Sequence, residues 1–162
     1  QAKRFLKEKK GTSSYNEKEV KIMEKLCVKM EAAWSPKVAA GLPRKEVGII
    51  TFYNAQLRLI EEKINPELFP SLHIRTGTVD RFQGMEREVI LVSMVRNNLE
   101  GKVGFANKPE RVNVAFSRAR ELLVIVGCHS LFTQHYGKVG SMYSEVSNVV
   151  RRQEGLFDFS DI

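Results

Sequence analysis

The apolar positions of this chain follow two patterns, stripes at helical spacing and short continuous runs. Near the amino terminus, five apolar residues recur at spacings of three and four: Val20, Met23, Cys27, Met30 and Trp34. This spacing predicts one face of an amphipathic helix. Asn16 precedes the stripe, and Glu19 lies three residues after Asn16. This spacing predicts a capping box at the helix start. Residues 36–45 are expected to form a loop.

Four apolar runs predict strands, and they alternate with further helical segments. The expected strands cover residues 47–52, 74–79, 89–95 and 122–126. The expected helices cover residues 54–64, residues 109 to about 120, and a last segment that includes residues 143–152. Continuous apolar strands that alternate with helices are typical of a parallel sheet covered on both faces. We therefore expect an α/β fold with a mostly parallel sheet and helices on both faces.

Composition narrows the class of protein. The 162 residues are 43% apolar, which suits one compact domain. The 26 Lys and Arg residues exceed the 19 Asp and Glu residues and give a net charge of +7, which favours nucleic acid as a partner and an acidic membrane surface second. No apolar run approaches membrane-spanning length, and Cys27 and Cys128 lack metal-ligand spacing. We expect an intracellular protein with two buried thiols, no membrane segment and no metal site.

Three segments are expected along the chain. Residues 1–13 are rich in Lys and Arg and predict a basic arm or a remnant of a longer chain. Residues 14–154 carry the alternating strands and helices and predict the folded domain. Residues 155–162 form a short tail. Because the chain begins with Gln1 rather than Met, we expect it to be a piece of a longer protein.

Two arginines close the first candidate motif, residues 113–120, which directly precedes the last expected strand. An arginine keeps its charge and can grip phosphate oxygens with two parallel hydrogen bonds. The alternative is that Arg118 and Arg120 are solvated surface residues. On a regular helix they lie on opposite flanks of the apolar stripe, so at most one of them can hold a given phosphate.

A second polar motif, residues 78–86, lies between the second and third expected strands. It places a hydroxyl, a carboxylate, an amide and bare backbone beside the edge of the sheet, where α/β proteins bind ligands. Gly84 allows close approach to the backbone. The alternative interpretation is a polar surface turn.

A third motif, residues 48–56, runs from a strand into the start of a helix. Thr51 and Asn54 could donate hydrogen bonds to a phosphate at that helix N-terminus, although Asn54 could equally be only a cap. Tyr53 could stack on a base or close the turn.

In this order, the three motifs resemble motifs IV, V and VI of superfamily 1 helicases, in the group that contains the nonsense-mediated-decay RNA helicase and senataxin. The matching stretches, in motif order, are Thr51-x-Tyr53-x-x-Gln56, residues 78–86 and residues 113–120. Residues 104–111 also match the stretch that leads into motif VI. The resemblance covers residues 14–132 and implies a RecA-like three-layer sandwich, the second such domain of a helicase.

The resemblance also implies roles at the nucleotide. Arg118 would be the arginine finger, the catalytic arginine that reaches the γ-phosphate of ATP held by a partner domain, a contact worth about 10³–10⁵ in rate in phosphoryl-transfer enzymes. Gly84 and Glu86 would lie near the nucleotide, with Glu86 towards the ribose. Arg120 would belong to the same nucleotide site.

At the nucleic acid, the resemblance implies a second set of residues. Thr51 and Thr78 would hold backbone phosphates of a single strand, and Tyr53 would contact the strand beside them. Ser93 and Arg96, which follow the third strand, are further candidates for the same track.

Several helicase elements are missing from the sequence. It has no G-x-x-x-x-G-K-[ST] loop, no Asp-Glu pair after a strand to hold Mg²⁺, and no Gln-Tyr-Arg motif ahead of Ser14. The resemblance then implies a parent protein whose first RecA-like domain holds ATP and Mg²⁺. The expected partners are that first domain and single-stranded DNA or RNA. The fragment alone is expected to be inactive as an ATPase.

Two other functions stay open from the sequence. A non-catalytic RecA-like module would keep the fold and the nucleic-acid binding without motor activity. An unrelated α/β enzyme would bind a small molecule tightly, whereas the helicase hypothesis predicts weak, salt-sensitive binding of nucleic acid by the isolated chain.

Overall fold

A computed structural model describes residues 13–135 and 137–162 of the chain. In order, this part contains α1 (Glu17–Ala39), β1 (Lys45–Thr51), α2 (Asn54–Lys63), β2 (Leu72–Thr78), β3 (Arg87–Ser93), α3 (Pro109–Phe116), β4 (Ala119–Val126), α4 (His129–Thr133) and α5 (Lys138–Arg152). Short 3₁₀ turns cover Pro66–Leu68, Gly104–Asn107 and Phe159–Asp161. The expected basic arm, except Ser13, lies outside the described residues.

The four strands form one sheet in the order β2-β1-β3-β4. Every neighbouring pair is parallel, which confirms the α/β prediction. All strands therefore begin at one edge, here called the amino edge, and end at the opposite carboxyl edge. Polar side chains that follow several strands meet at the carboxyl edge, whereas residues that start strands meet at the amino edge.

Each face of the sheet is covered by its own hydrophobic cluster. Val47 and Ile49 of β1 pack with the buried stripe of α1 and with α2. Ile50, the next residue along, faces the other way and packs with α3 and α5. Side chains alternate between faces along a strand, so a continuous apolar run fills both clusters at once. The result is the expected RecA-like three-layer sandwich.

The connection from β2 to β3 crosses the sheet without a helix. Phe82 lies at the centre of this crossover and is fully buried. A Cβ at Gly48 would lie 2.9 Å from the Phe82 ring, and one at Gly77 would lie 2.7 Å from it. The two glycines therefore leave the space that the ring occupies. The crossover carries the second motif from the carboxyl edge towards the amino edge.

The prediction of a loop from residue 36 is wrong, because α1 continues through Pro36 to Ala39. Contacts of Trp34 hold this last turn in place. Its indole nitrogen donates to the Pro43 carbonyl at 3.0 Å, and the Lys37 ammonium lies 4.1 Å from the ring centroid. These contacts help to hold the last turn of α1 although Pro36 removes one backbone hydrogen bond.

The predicted end of the third helix is also wrong. Helix α3 ends at Phe116 with Ser117 as its C-cap, and β4 begins at Ala119. The Arg87 amide donates to the Arg118 carbonyl at 3.0 Å, which draws this segment into the sheet. Arg118 and Arg120 therefore lie on a turn and on a strand, and not on two flanks of one helix.

Smaller expectations have mixed outcomes. Helix α4 was not predicted, and α5 begins earlier than the segment expected around residues 143–152. Both cysteines are free, but only Cys27 is buried, whereas Cys128 is half-buried. Within the described ranges, no helix combines the length and apolar character needed to span a membrane.

Candidate functional site

Three hydroxyl-bearing residues of the candidate nucleic-acid track form one row at the carboxyl edge. Thr51, which ends β1, is paired in register with Thr78 of β2 on one side and with Ser93 of β3 on the other. Thr51 and Ser93 are fully buried, and Thr78 is only slightly exposed. The Thr51 hydroxyl has no hydrogen-bond partner among the described residues. The sheet thus brings the three residues together, with Thr78 nearest to solvent.

A buried polar network supports this row from below. The Ser93 hydroxyl donates to Glu19 Oε2 at 2.6 Å and accepts from Gln56 Nε2 at 2.9 Å. The same Gln56 exchanges hydrogen bonds with the backbone of Asn16, at 2.7 and 3.1 Å. Gln56 belongs to the stretch that resembles motif IV, so this stretch is anchored to the start of α1 and to the end of β3.

Glu19 holds the backbone just beyond β3. Its carboxylate accepts from the Val95 amide at 2.9 Å, and Asn16 Nδ2 donates to the Val95 carbonyl at 3.1 Å. Val95 has a φ of 68°, which is rare and strained for a β-branched residue. Burial raises the pKa of Glu19 to about 7, although its hydrogen bonds lower it in part. The network therefore fixes the turn that leads to Arg96.

The capping-box prediction is only half correct. Asn16 caps α1 by accepting from the amides of Lys18 and Glu19 at 3.1 and 3.4 Å. The Glu19 carboxylate serves the end of β3 instead of the backbone amide of Asn16. Sequence spacing could not reveal this, because Glu19 and Ser93 are 74 positions apart.

Tyr53 is buried under an aromatic neighbour, Phe105, that the three sequence motifs do not include. Its ring lies 5.0 Å from the Phe105 ring, centroid to centroid, and its hydroxyl accepts from the Phe105 amide at 3.1 Å. Tyr53 itself is 5% exposed, whereas Phe105 is 56% exposed. The available signal was the match of residues 104–111 to the lead-in of the last motif.

Asn54 is the first residue of α2 and not its cap, so the capping alternative for Asn54 is wrong. Tyr53 occupies the N-cap position without a side-chain cap bond. Ser13 supplies a hydroxyl instead, which accepts from the Ala55 amide at 3.2 Å. The start of the domain therefore closes the helix N-terminus beside the carboxyl edge.

Arg96 lies beyond the strained turn at Val95. Its Nη1 donates to the Ser14 hydroxyl at 3.2 Å, and its side chain is half-buried. The structure thus brings Arg96 to the carboxyl edge together with Thr51, Thr78, Ser93 and Tyr53. These are the five residues expected to contact nucleic acid.

The candidate nucleotide residues lie at the other edge of the sheet. Gly84 has a φ of 78°, in the left-handed region that favours glycine, and it lies in the exposed end of the crossover. Glu86 is exposed as well and directly precedes β3. The hydrogen bond from the Arg87 amide to the Arg118 carbonyl joins this segment to residues 113–120, the stretch that resembles motif VI. Glu86 therefore lies close to Arg118 at the amino edge, and Gly84 lies two residues earlier in the same segment.

The Arg118 guanidinium is held by neutral partners. Its Nε donates to the Val114 carbonyl at 3.0 Å, and its Nη2 donates to the Ser117 hydroxyl at 3.3 Å. The side chain is half-buried and forms no salt bridge within residues 13–135 and 137–162. The end of α3 therefore orients this charge, and no carboxylate from the described part of the chain neutralises it.

Arg120 has a different environment. It forms an ion pair with Glu46 of β1. Beside this pair, Lys45 bonds Glu121 and lies 3.6 Å from Glu88. The hydrogen bond from Lys45 lowers the pKa of Glu121. Among the described residues, the two arginines of residues 113–120 therefore differ: Arg118 has no acidic partner, whereas Arg120 is paired with Glu46.

No group of three or more His, Cys, Asp or Glu side chains has metal-binding geometry in the described part of the chain. The chemistry available here consists of a cationic guanidinium with exposed backbone at the amino edge, and of hydroxyls, cations and aromatic rings at the carboxyl edge.

These features define a RecA-like domain that presents polar groups at both edges of a parallel sheet, and a comparison with known families agrees. The family described as "AAA domain" matches residues 1–130. The chain belongs to this family, within the superfamily 1 helicases of the group that contains the nonsense-mediated-decay helicase and senataxin.

Individual relatives are similar over parts of their length. The chain is 37% identical over 115 residues to the DNA polymerase alpha-associated DNA helicase A of Saccharomyces cerevisiae, covering 71% of this chain and 16% of that protein. It is 32% identical over 154 residues to the Regulator of nonsense transcripts 1 of Caenorhabditis elegans, covering 91% of this chain and 13% of that protein. The chain thus spans a small part of each relative.

Proposed function

We propose that this chain is the second motor domain of an ATP-dependent nucleic-acid helicase or translocase. It supplies the arginine finger and half of a single-strand track. The first RecA-like domain of the same parent chain makes most of the contacts with ATP and Mg²⁺. The observation that carries this proposal is the Arg118 guanidinium, oriented by neutral hydrogen bonds and without a salt bridge in the described residues.

The nucleotide half of the proposal uses the amino edge. Closing of the first domain on ATP brings Arg118 to the γ-phosphate, where its fixed charge stabilises the transferring phosphoryl group. The exposed backbone at Gly84 and the carboxylate of Glu86 contact the nucleotide beside it. Arg120 joins this site from β4, where its guanidinium pairs with Glu46 at the surface. The fragment alone hydrolyses no ATP.

The nucleic-acid half uses the carboxyl edge. Thr78 and Arg96 contact the phosphates of single-stranded DNA or RNA. Their positions at the end of β2 and just beyond β3 support this role. Thr51 and Ser93 shape the same track from beneath, since both are buried. Tyr53 supports the aromatic surface beside them. An intracellular location for the parent stays a prediction.

The test is a pair of substitutions in the full-length parent. Arg118→Ala should lower nucleic-acid-stimulated ATP hydrolysis by about 10³–10⁵-fold, because the finger acts only in the transition state. Arg120→Ala, two residues away and equal in charge, should lower it far less. Steady-state kinetics with saturating nucleic acid measures both. Intact hydrolysis in the Arg118→Ala parent would sink the arginine assignment.

A further inference from the structure

We propose that Phe105 is a platform on which one unpaired base of single-stranded nucleic acid stacks at the carboxyl edge. This inference rests on the proposed function and deepens it. The ring of Phe105 is 56% exposed, and it packs on Tyr53, which follows the end of β1 at Thr51. A large aromatic ring open to solvent next to polar groups is suited to a ligand that is itself flat and apolar on its faces.

The ring is held in one orientation from behind. Tyr53 packs against it at a 30° angle between the ring planes and accepts a hydrogen bond from its backbone amide. Gly104 has a φ of 61°, and a Cβ there would lie 2.0 Å from the Tyr53 hydroxyl oxygen. The backbone of residues 104–105 is therefore pressed against Tyr53. A ring fixed in this way loses little conformational entropy when a base stacks on it.

Two arginine side chains lie close to residues 104–105. The guanidinium carbon of Arg111 lies 5.7 Å from the ring centroid of Phe105. The Arg96 side chain passes 3.3 Å from the Cβ position of Gly104. Phosphates flank every base of a single strand, so cations beside a stacking ring match that ligand.

Asp80 sets the position of one of these cations. Its carboxylate accepts from Arg111 Nη2 at 2.9 Å, and this pair is partly exposed. Asp80 belongs to the second helicase-like motif, so the pair links that motif to the start of α3. A strand that binds here competes with Asp80 for Arg111, which makes this contact salt-sensitive.

The test compares two oligomers of equal length in the full-length parent without nucleotide, a thymidine oligomer and an oligomer of abasic sites. Phe105→Ala should weaken binding of the thymidine oligomer by about 5- to 150-fold, the range for loss of one base–aromatic stack. Binding of the abasic oligomer should stay unchanged, because it offers phosphates but no base. Phe105→Trp should retain tight binding of the thymidine oligomer. Fluorescence anisotropy titrations measure all of these affinities.

Leu68→Ala is the matched control. Leu68 is 68% exposed and lies in the turn before β2, at the opposite edge, so its loss should change neither affinity. A loss of affinity for both oligomers in Phe105→Ala overturns the proposal and assigns the ring a structural role. Unchanged binding of the thymidine oligomer also overturns it. A wild-type parent that binds both oligomers equally overturns the platform alone. A wild-type parent that binds neither overturns the proposed function as well.

Discussion

The two edges of this sheet keep their polar groups in opposite ways. At the carboxyl edge, Glu19, Gln56 and Ser93 are buried and joined by hydrogen bonds. At the amino edge, Arg120 and Glu46 pair at the surface, where water reaches both. A buried network fixes the backbone because each lost partner leaves a desolvated group. Exposed ion pairs contribute little and exchange partners easily.

This difference fits the two tasks proposed for the domain. A track for nucleic acid needs a backbone held at fixed positions along the sheet edge, and the network that includes Asn16 and Val95 holds it. An edge that meets a second domain in each cycle needs charges that can change partners. Arg118, oriented but without a counter-ion among the described residues, is suited to that edge.

The largest stability effect should come from the crossover that joins the edges. Phe82→Ala should lower the free energy of unfolding by about 3–5 kcal/mol, because the surrounding residues, including Gly48 and Gly77, cannot fill the space left by the buried ring. Phe157→Ala is the control, since Phe157 is 66% exposed. Urea unfolding of both variants measures the difference, and equal effects would contradict the anchoring role of Phe82.

The carboxyl edge should make stability depend on pH. The pKa of Glu19 is about 7 in the folded chain, against an ordinary value of 4.5. Between these two values the folded chain keeps a proton that the unfolded chain has lost. The contribution of Glu19 to the free energy of unfolding should therefore fall by about 3 kcal/mol as pH rises through this window, and stay constant above it.

Urea unfolding across this pH range, in the wild type and in Glu19→Gln, isolates the effect. The difference between the two should change with pH in this window, because Gln cannot ionise. Glu121→Gln at the amino edge is the control. Lys45 lowers the pKa of Glu121, so that carboxylate causes no loss of stability as pH rises. A Glu19→Gln variant that follows the wild-type pH profile would contradict the buried-network interpretation.

The smallest effect should come from the exposed pair at the amino edge. Arg120→Ala should change the free energy of unfolding by less than about 1 kcal/mol, the usual range for a surface ion pair. Added salt should shrink the difference further, because it screens exposed charges. Thermal unfolding at low and high salt checks both statements. A large, salt-independent loss would show that this edge is as rigid as the other.

Local sequence patterns predicted the strands well. Each expected strand lies in an observed strand to within a few residues, and the apolar runs are most complete in the central strands β1 and β3, which are buried on both faces. The end of α3 was missed because residue 118 bonds to Arg87, which is 31 positions earlier and could not be paired with it from a helical stripe. For the same reason, the sequence did not predict the hydrogen bond between Ser93 and Glu19 or the exposure of the Phe105 ring.

The sequence by itself determined the alternation of strands and helices and three motifs that mark the family, because periodicity and short spacings are local properties. Only the tertiary structure decided which residues share an edge. The structure has Thr51, Thr78 and Ser93 in one row at the carboxyl edge, and Arg118 at the amino edge before β4. It also pairs Arg120 with Glu46. Strand order and register control these contacts, and both arise from packing between segments far apart in the chain.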